Sequence, residues 1–192
     1  MSVQTRKVET VSVLRADMPY PAVLLIGRLD ANAGAVASFD FTAIPATYSK
    51  LILDLYARGD TAATNVAVNM ICNNDGSALY DRITSNIHHS GVLATGETLA
   101  GTNIQIATIA AAAAPASAFD LMKLEIPGYG NTNVHKVLQA QFGLKLAATT
   151  TNLYVSNVIA WYRSTNAISR LTLTPAAGNF AQYSTARLYG VY

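Results

Sequence analysis

The residues best suited to chemistry in this chain are few, and their spacing argues against most of it. His88 and His89 are adjacent, and adjacent side chains on a strand point to opposite faces, so they do not readily share one metal ion. His135 is remote in sequence. Cys72 closes the apolar run Val66-Ala67-Val68-Asn69-Met70-Ile71-Cys72, where a thiol reads as a small buried hydrophobe and not as a ligand. As the single cysteine it has no disulfide partner within the chain. No metal site is expected.

Asn73-Asn74-Asp75-Gly76 resembles a fragment of a calcium loop but lacks the alternating oxygen ligands and closing glutamate that such a loop needs. It reads as a tight turn. The eleven acidic residues are mostly placed singly, and Asp17, Asp30, Asp40, Asp54 and Asp60 offer no recognisable pair for general acid–base work. There is no Gly-x-Ser-x-Gly nucleophile elbow and no Gly-x-x-x-x-Gly-Lys phosphate loop. No catalytic, cofactor-binding or metal-ligating residue is therefore assigned, and the expectation is a protein that is not an enzyme. The ten tyrosines suit interfaces or sugar binding, though strands favour tyrosine for packing alone. Trp161 lies within an apolar stretch and reads as a core residue.

The elements that would carry these residues are strands. Leu51, Leu53 and Leu55 alternate with Ile52, Asp54 and Tyr56; Val66, Val68 and Met70 alternate likewise, as do Met122, Leu124 and Ile126 against Lys123 and Glu125. Tyr154–Arg163 is rich in β-branched and aromatic residues. Leu171 and Leu173 alternate with threonines, and the tail from Arg187 to Tyr192 alternates again. Turn signals separate the runs at Arg58-Gly59-Asp60, Asn73–Gly76, Pro127–Asn131, Ser164-Thr165-Asn166 and Ala177-Gly178-Asn179. Ala110–Ala114 has helix propensity but no polar face, and Pro115 follows at once, so it reads as a loop or short turn. The expected fold is an all-β antiparallel β-sandwich, jelly-roll-like, with little helix.

The first residues differ in texture from the rest. Val3–Leu14 alternates well enough to be an extended segment, Pro19-Tyr20-Pro21 is rigid, Val23–Ile26 is apolar, and Ala31–Ala37 looks like a hinge. Residues 1–34 are thus either an N-terminal arm, suited to attachment, or the first strands of a body spanning 35–192. The chain is 51% hydrophobic and only 12% charged, against about 25% in average domains. A weakly charged surface is easily covered by a neighbour, which points to a homo-oligomer. The formal net charge is +2 and the basic residues are scattered, so direct nucleic-acid binding is not expected. Neither a secretion signal nor an apolar run of membrane-spanning length is evident, so no membrane partner is expected, and a chain with one cysteine suits synthesis in a reducing cytoplasm.

Three stretches resemble a pattern recurrent in structural proteins of tailed-bacteriophage virions: head-decoration, head-fibre and tail-associated β-domains. Phe39–Leu51 is similar to Phe-x-x-Ile-Pro-x-x-Tyr-x-x-Leu, carried here by Phe41, Ile44, Pro45, Tyr48 and Leu51. Ile126–Lys136 resembles a segment with a Tyr, a Thr-Asn and a Lys, here Tyr129, Thr132-Asn133 and Lys136. Trp161–Ile168, continuing through Asn179-Phe180 and Ser184 to Leu188-Tyr189-Gly190-Val191, resembles a Trp-Arg-Ser-Thr-x-Ala-Ile element with a terminal Leu-Tyr-Gly-Ile; Tyr162 departs from it. The resemblance covers the body from Phe39 onward and carries no catalytic residues. It implies a virion component, a capsid decoration or head-fibre protein that self-assembles and docks on major capsid or tail proteins; closed symmetry, which multiplies weak contacts, favours a trimer. The alternative is a tail or fibre module that recognises host-surface glycan.

Overall fold

The computed structural model describes residues 22–145 and 153–192. Among these, twelve strands and no helix are found: β1 (Val23–Asp30), β2 (Phe39–Phe41), β3 (Lys50–Ala57), β4 (Asn65–Cys72), β5 (Tyr80–His88), β6 (Leu93–Gly101), β7 (Ile104–Ala110), β8 (Asp120–Pro127), β9 (Lys136–Lys145), β10 (Leu153–Tyr162), β11 (Leu171–Pro175) and β12 (Thr185–Val191). The antiparallel sandwich expected from the period-two pattern is present. The large sheet has the order β1-β12-β3-β8-β9-β10-β5-β6, and the small sheet β2-β11-β4-β7.

Between the sheets lies the main core, with a small separate cluster of Ala110, Ala114 and Leu144. Leu51, Leu53 and Leu55 of β3 and Met122, Leu124 and Ile126 of β8 meet Val66, Val68 and Met70 of β4 and Leu171 and Leu173 of β11. Cys72 is buried there too, and its burial pushes the thiol's pKa well up, so it remains an inert hydrophobe. From β2 to β8 the chain crosses between the layers at every step except the β5–β6 hairpin, in the manner of a jelly roll, and β2-β11-β4-β7 is one of that fold's two sheets. The other sheet would run β3-β8-β5-β6, but the β9–β10 hairpin is inserted between β8 and β5. At about 4.8 Å per strand, this insertion moves β5–β6 sideways by roughly 10 Å. The small sheet ends at β7, which packs chiefly against β9. The inner face of β5 and β6 therefore overhangs the edge of the small sheet.

The resemblance-bearing segments converge at one corner, and their roles there are structural. The Tyr129 hydroxyl donates to the Pro45 carbonyl and accepts from the Tyr48 amide, while the Tyr129 carbonyl accepts from the Ile168 amide. Lys136, buried at the start of β9, donates to the carbonyls of Asn131 (2.5 Å), Val134 (2.8 Å) and Thr165 (3.2 Å), tying two loops together. Gly190 is needed because a Cβ there would fall 2.4 Å from the Tyr48 ring. On the opposite flank, Arg58 gathers the carbonyls of Ala112, Ala114, Pro115 and Ala118, which holds the alanine-rich segment as a loop.

Two expectations are corrected. Trp161 is not a core residue. It is half-buried on the outer face of β10, and its neighbour Tyr162 is the fully buried aromatic, stacked on Tyr80 with ring centroids 4.9 Å apart. Ala31–Ala37 is not a hinge. Ala31 is buried and exchanges backbone hydrogen bonds with Tyr183 and Ser184, and Val36 does so reciprocally with Phe180. Within residues 1–34, Val23–Asp30 pairs with β12 as an edge strand of the large sheet. The extended segment anticipated at Val3–Leu14 lies outside the described residues.

Candidate functional site

The overhang left by the inserted hairpin forms a cleft of about 440 Å³. Its floor is the inner face of β5, where alternation places Arg82, Thr84, Asn86 and His88 in one row. Thr95 and Gly96 of β6 close one side, and Gln105 and Thr108 of the edge strand β7 the other. Phe142, Tyr154 and Val158 from the β9–β10 hairpin supply an apolar wall. A row that in most sandwiches would be apolar core is polar here, and the small sheet meets it only at its edge strand β7.

Arg82 is the central charge of the cleft. Its Nη1 donates to Gln105 Oε1 at 2.6 Å and its Nη2 to Thr98 Oγ1 at 3.2 Å. Gln105 in turn donates through Nε2 to Thr108 Oγ1 at 3.1 Å, so neutral groups hold the guanidinium in place. Arg82 Nε and Thr84 Oγ1 are both buried and have no hydrogen-bond partner among the described residues, and the same is true of Ser156 Oγ beneath them on β10. The ion pairs of the described residues involve other arginines and lysines, not Arg82. Burial pulls the guanidinium below its ordinary pKa, yet an arginine so placed stays charged. At the far end of the row, His88 stacks on Tyr154 with ring centroids 5.1 Å apart. Burial, and secondarily the charge of Asp120, raises the Tyr154 phenol, which keeps it a neutral donor. The cleft thus offers a fixed cation, hydroxyls and amides, and an aromatic wall: the means to bind a small polar anion, with no carboxylate to act as a base.

The chemistry-capable residues of the sequence are dispersed. His88 enters the cleft, whereas His89 and His135 are exposed elsewhere. Asn73–Gly76 is a structural turn, with Asn73 and Asn74 at positive φ. Asn73 Oδ1 accepts from the amides of Ser169 and Arg170, and the Asp75 carboxyl is held below its ordinary pKa by hydrogen bonds from the Ser77 side chain, then the Ser77 amide and the Tyr162 hydroxyl. Asp40 accepts two hydrogen bonds from the Nε–Nη2 edge of the Arg170 guanidinium and a third from the Thr172 hydroxyl. Asp60 caps the turn at Asn179, and Asp54 lies across from Arg187 and Lys123 on the outer sheet face. Asp17 lies outside the described residues. Arg82, Thr84 and Asn86 were not legible as a group beforehand. The signal was there as an alternating polar row, Arg82-x-Thr84-x-Asn86-x-His88, within a strand whose other face carries Ile83 and Ile87.

A second feature is the outer face of the large sheet, which divides in two. The β1-β12-β3-β8 half is charged, with the pairs Arg28–Asp30 and Lys50–Glu125 each at 2.9 Å. The β9-β10-β5-β6 half is polar on β9, where Gln139, Gln141 and Gly143 face outward, and richer in aliphatic residues on β10, β5 and β6. Ile83 and Ile159 sit opposite each other in register, as do Ile87 and Val155, and Ile87 and Leu93. Ile83, Ile87, Val155 and Leu93 are each more than half exposed. Ser85 and Asn157 are interspersed, and charge is confined to Glu97, Lys145 and the Asp81–Arg163 pair. No helix among the described residues is long and apolar enough to cross a membrane.

Compared with protein-family models, curated proteins and solved structures, the chain matches none of them.

Proposed function

We propose that this chain is a non-enzymatic structural subunit of a virus particle, which assembles with copies of itself through the outer face of β9-β10-β5-β6 and decorates the head or a head fibre. The observation that carries the self-assembly is the aliphatic half-face. Ile87, Val155 and Leu93, each more than half exposed, are direct cross-strand neighbours and form a patch of the kind that marks an interface, with Ile83 and Ile159 a second aliphatic pair beyond the Ser85–Asn157 row. A second copy suits it best. Rows of Ile and Val separated by Ser and Asn meet their own like without any charge conflict, whereas a dissimilar partner is usually registered by complementary charges, which this face lacks at its centre. The charged β1-β12-β3-β8 half then stays in solvent. Closed symmetry, with a trimer as the expected order, multiplies individually weak contacts. The assignment to a virion rests on the resemblance of Phe39–Leu51, Ile126–Lys136 and Trp161–Val191 to phage structural proteins, and on a fold corner built from those same segments.

Sedimentation of the full-length chain at micromolar concentration tests the assembly. A multimer is expected, and Val155→Glu with Ile83→Glu should convert it to a folded monomer. A wild-type chain that is monomeric under these conditions overturns the reading. The particle assignment is tested by quantifying this protein in purified virus particles: stoichiometric copies are expected, and absence from them refutes it.

A further inference from the structure

We propose that the cleft between β5, β6 and β7 binds a carboxylate-bearing sugar, with Arg82 receiving the carboxylate and the Thr84–His88 row receiving ring hydroxyls. The inference is independent of assembly, because the cleft opens on the inner side of the large sheet and the aliphatic patch lies on its outer side.

Three observations carry it. The first is charge. Arg82 projects into a cavity, is held by the neutral acceptors Gln105 Oε1 and Thr98 Oγ1, and has no acidic partner among the described residues. Its Nε is buried without an acceptor among the described residues, but Nη2 carries a second N–H beyond its bond to Thr98, and that donor can meet a carboxylate in the cleft. Leaving an ionised donor without an acceptor is costly, and a ligand that supplies one recovers that cost on binding. The second is the choice of anion. A phosphate site usually gathers several cations or a nest of backbone amides, whereas the cleft lining contains one arginine and no lysine. A monoanion suits this single fork. The third is the rest of the lining. Beyond Thr84, whose Oγ1 is buried, Asn86 and His88 continue the same row with donors and acceptors at the two-residue spacing of a strand. That row suits a polyol. Beside it, Tyr154, the direct cross-strand neighbour of His88, stacks on the His88 ring, and the buried Phe142 lies beyond it on β9, so this flank of the cleft is an apolar wall for the C–H face of a sugar. The cavity lies within the range of small-ligand sites and accommodates one or two pyranose rings.

The test is titration of the full chain, followed by two-dimensional NMR, with methyl glucuronide and N-acetylneuraminic acid as the acidic probes and methyl glucoside and acetate as controls. One or both acidic sugars should give saturable shifts at the Arg82 side chain and the Asn86 amide. The two probes distinguish a uronate from a nonulosonate as the source of the carboxylate. Methyl glucoside and acetate should each bind about tenfold more weakly or worse, because each satisfies only half of the site. Arg82→Gln should abolish the shifts. Asn86→Asp, which leaves the Arg82 contacts intact, should also do so by placing a carboxylate against the ligand's own, so the proposal remains testable if Arg82→Gln fails to fold. It is overturned if neither acidic sugar gives saturable shifts up to about 20 mM. Acetate or methyl glucoside binding as well as the acidic sugars overturns it too, as does unchanged binding in Asn86→Asp.

Discussion

Trp161 and Tyr162 are adjacent aromatics on β10, and the structure assigns them opposite fates that mutagenesis can separate. Tyr162 is fully buried, and its ring stacks on Tyr80 at 4.9 Å with an interplanar angle of 14°. Its hydroxyl donates to Asp75 at 2.8 Å, and burial, more than any other cause, pushes the phenol up to about 12. Truncating a buried aromatic of this size to alanine costs roughly 3–5 kcal/mol, the transfer of the ring plus the cavity left behind. For a chain of this length each kcal/mol lowers Tm by about 2–4 °C, so Tyr162→Ala should melt about 6–20 °C below the parent. Trp161 faces outward beside Asp81 and Val137, is half-buried, and leaves no internal cavity when removed. Trp161→Ala should cost about 1 kcal/mol or less in fold stability. Its main effect should be on association, since it flanks the aliphatic face. Differential scanning calorimetry at one fixed protomer concentration, alongside sedimentation, reads both effects. If Trp161→Ala costs as much fold stability as Tyr162→Ala, β10 is displaced by one residue. Every inward and outward assignment on that strand would then be reversed, those of the aliphatic face included.

Other expected outcomes follow from single contacts. Arg58→Leu removes donors to four carbonyls of the Ala112–Ala118 loop and should cost about 2–3 kcal/mol by urea denaturation, with faster amide exchange confined to that loop; Arg58→Lys should not rescue it, because an ammonium cannot span the set. Gly190→Ala places a Cβ 2.4 Å from the Tyr48 ring and should cost about 1–3 kcal/mol, a loss that Tyr48→Ala in the same chain should partly relieve. Burial by itself would raise the Asp40 carboxyl, but hydrogen bonds from Arg170 and Thr172 and the Arg170 charge hold it below its ordinary 3.8. Its contribution to stability is therefore present above that value and lost as pH falls through the lower, folded-state one. Asp40→Asn should be less stable than the parent at neutral pH, and the gap should narrow in acid; a gap independent of pH would refute the assignment.

Much of the architecture was determined by local sequence. A half-buried strand needs an apolar residue at every second position, and Leu51-x-Leu53-x-Leu55 and Met122-x-Leu124-x-Ile126 satisfy that rule without reference to any partner. Turn chemistry is equally local, which is why Asn73–Gly76 was legible as a turn. The Tyr48–Gly190 approach could be suspected, because a glycine within a terminal strand often marks close packing. Trp161 could not be placed, because both it and Tyr162 are aromatic and alternation along β10 does not say which parity faces inward. That choice is made by Tyr80 on the neighbouring strand and by Asp75 in a distant turn. The cleft was hidden for a related reason. A polar row on β5 is a solvated face in one topology and a ligand site in another, and the difference is the β9–β10 hairpin, more than forty residues downstream, inserted between β8 and β5. Strand identity is written in nearest neighbours. Which strands lie side by side, and hence which inner face is left uncovered, is decided by the long-range pairing that buries the core as a whole.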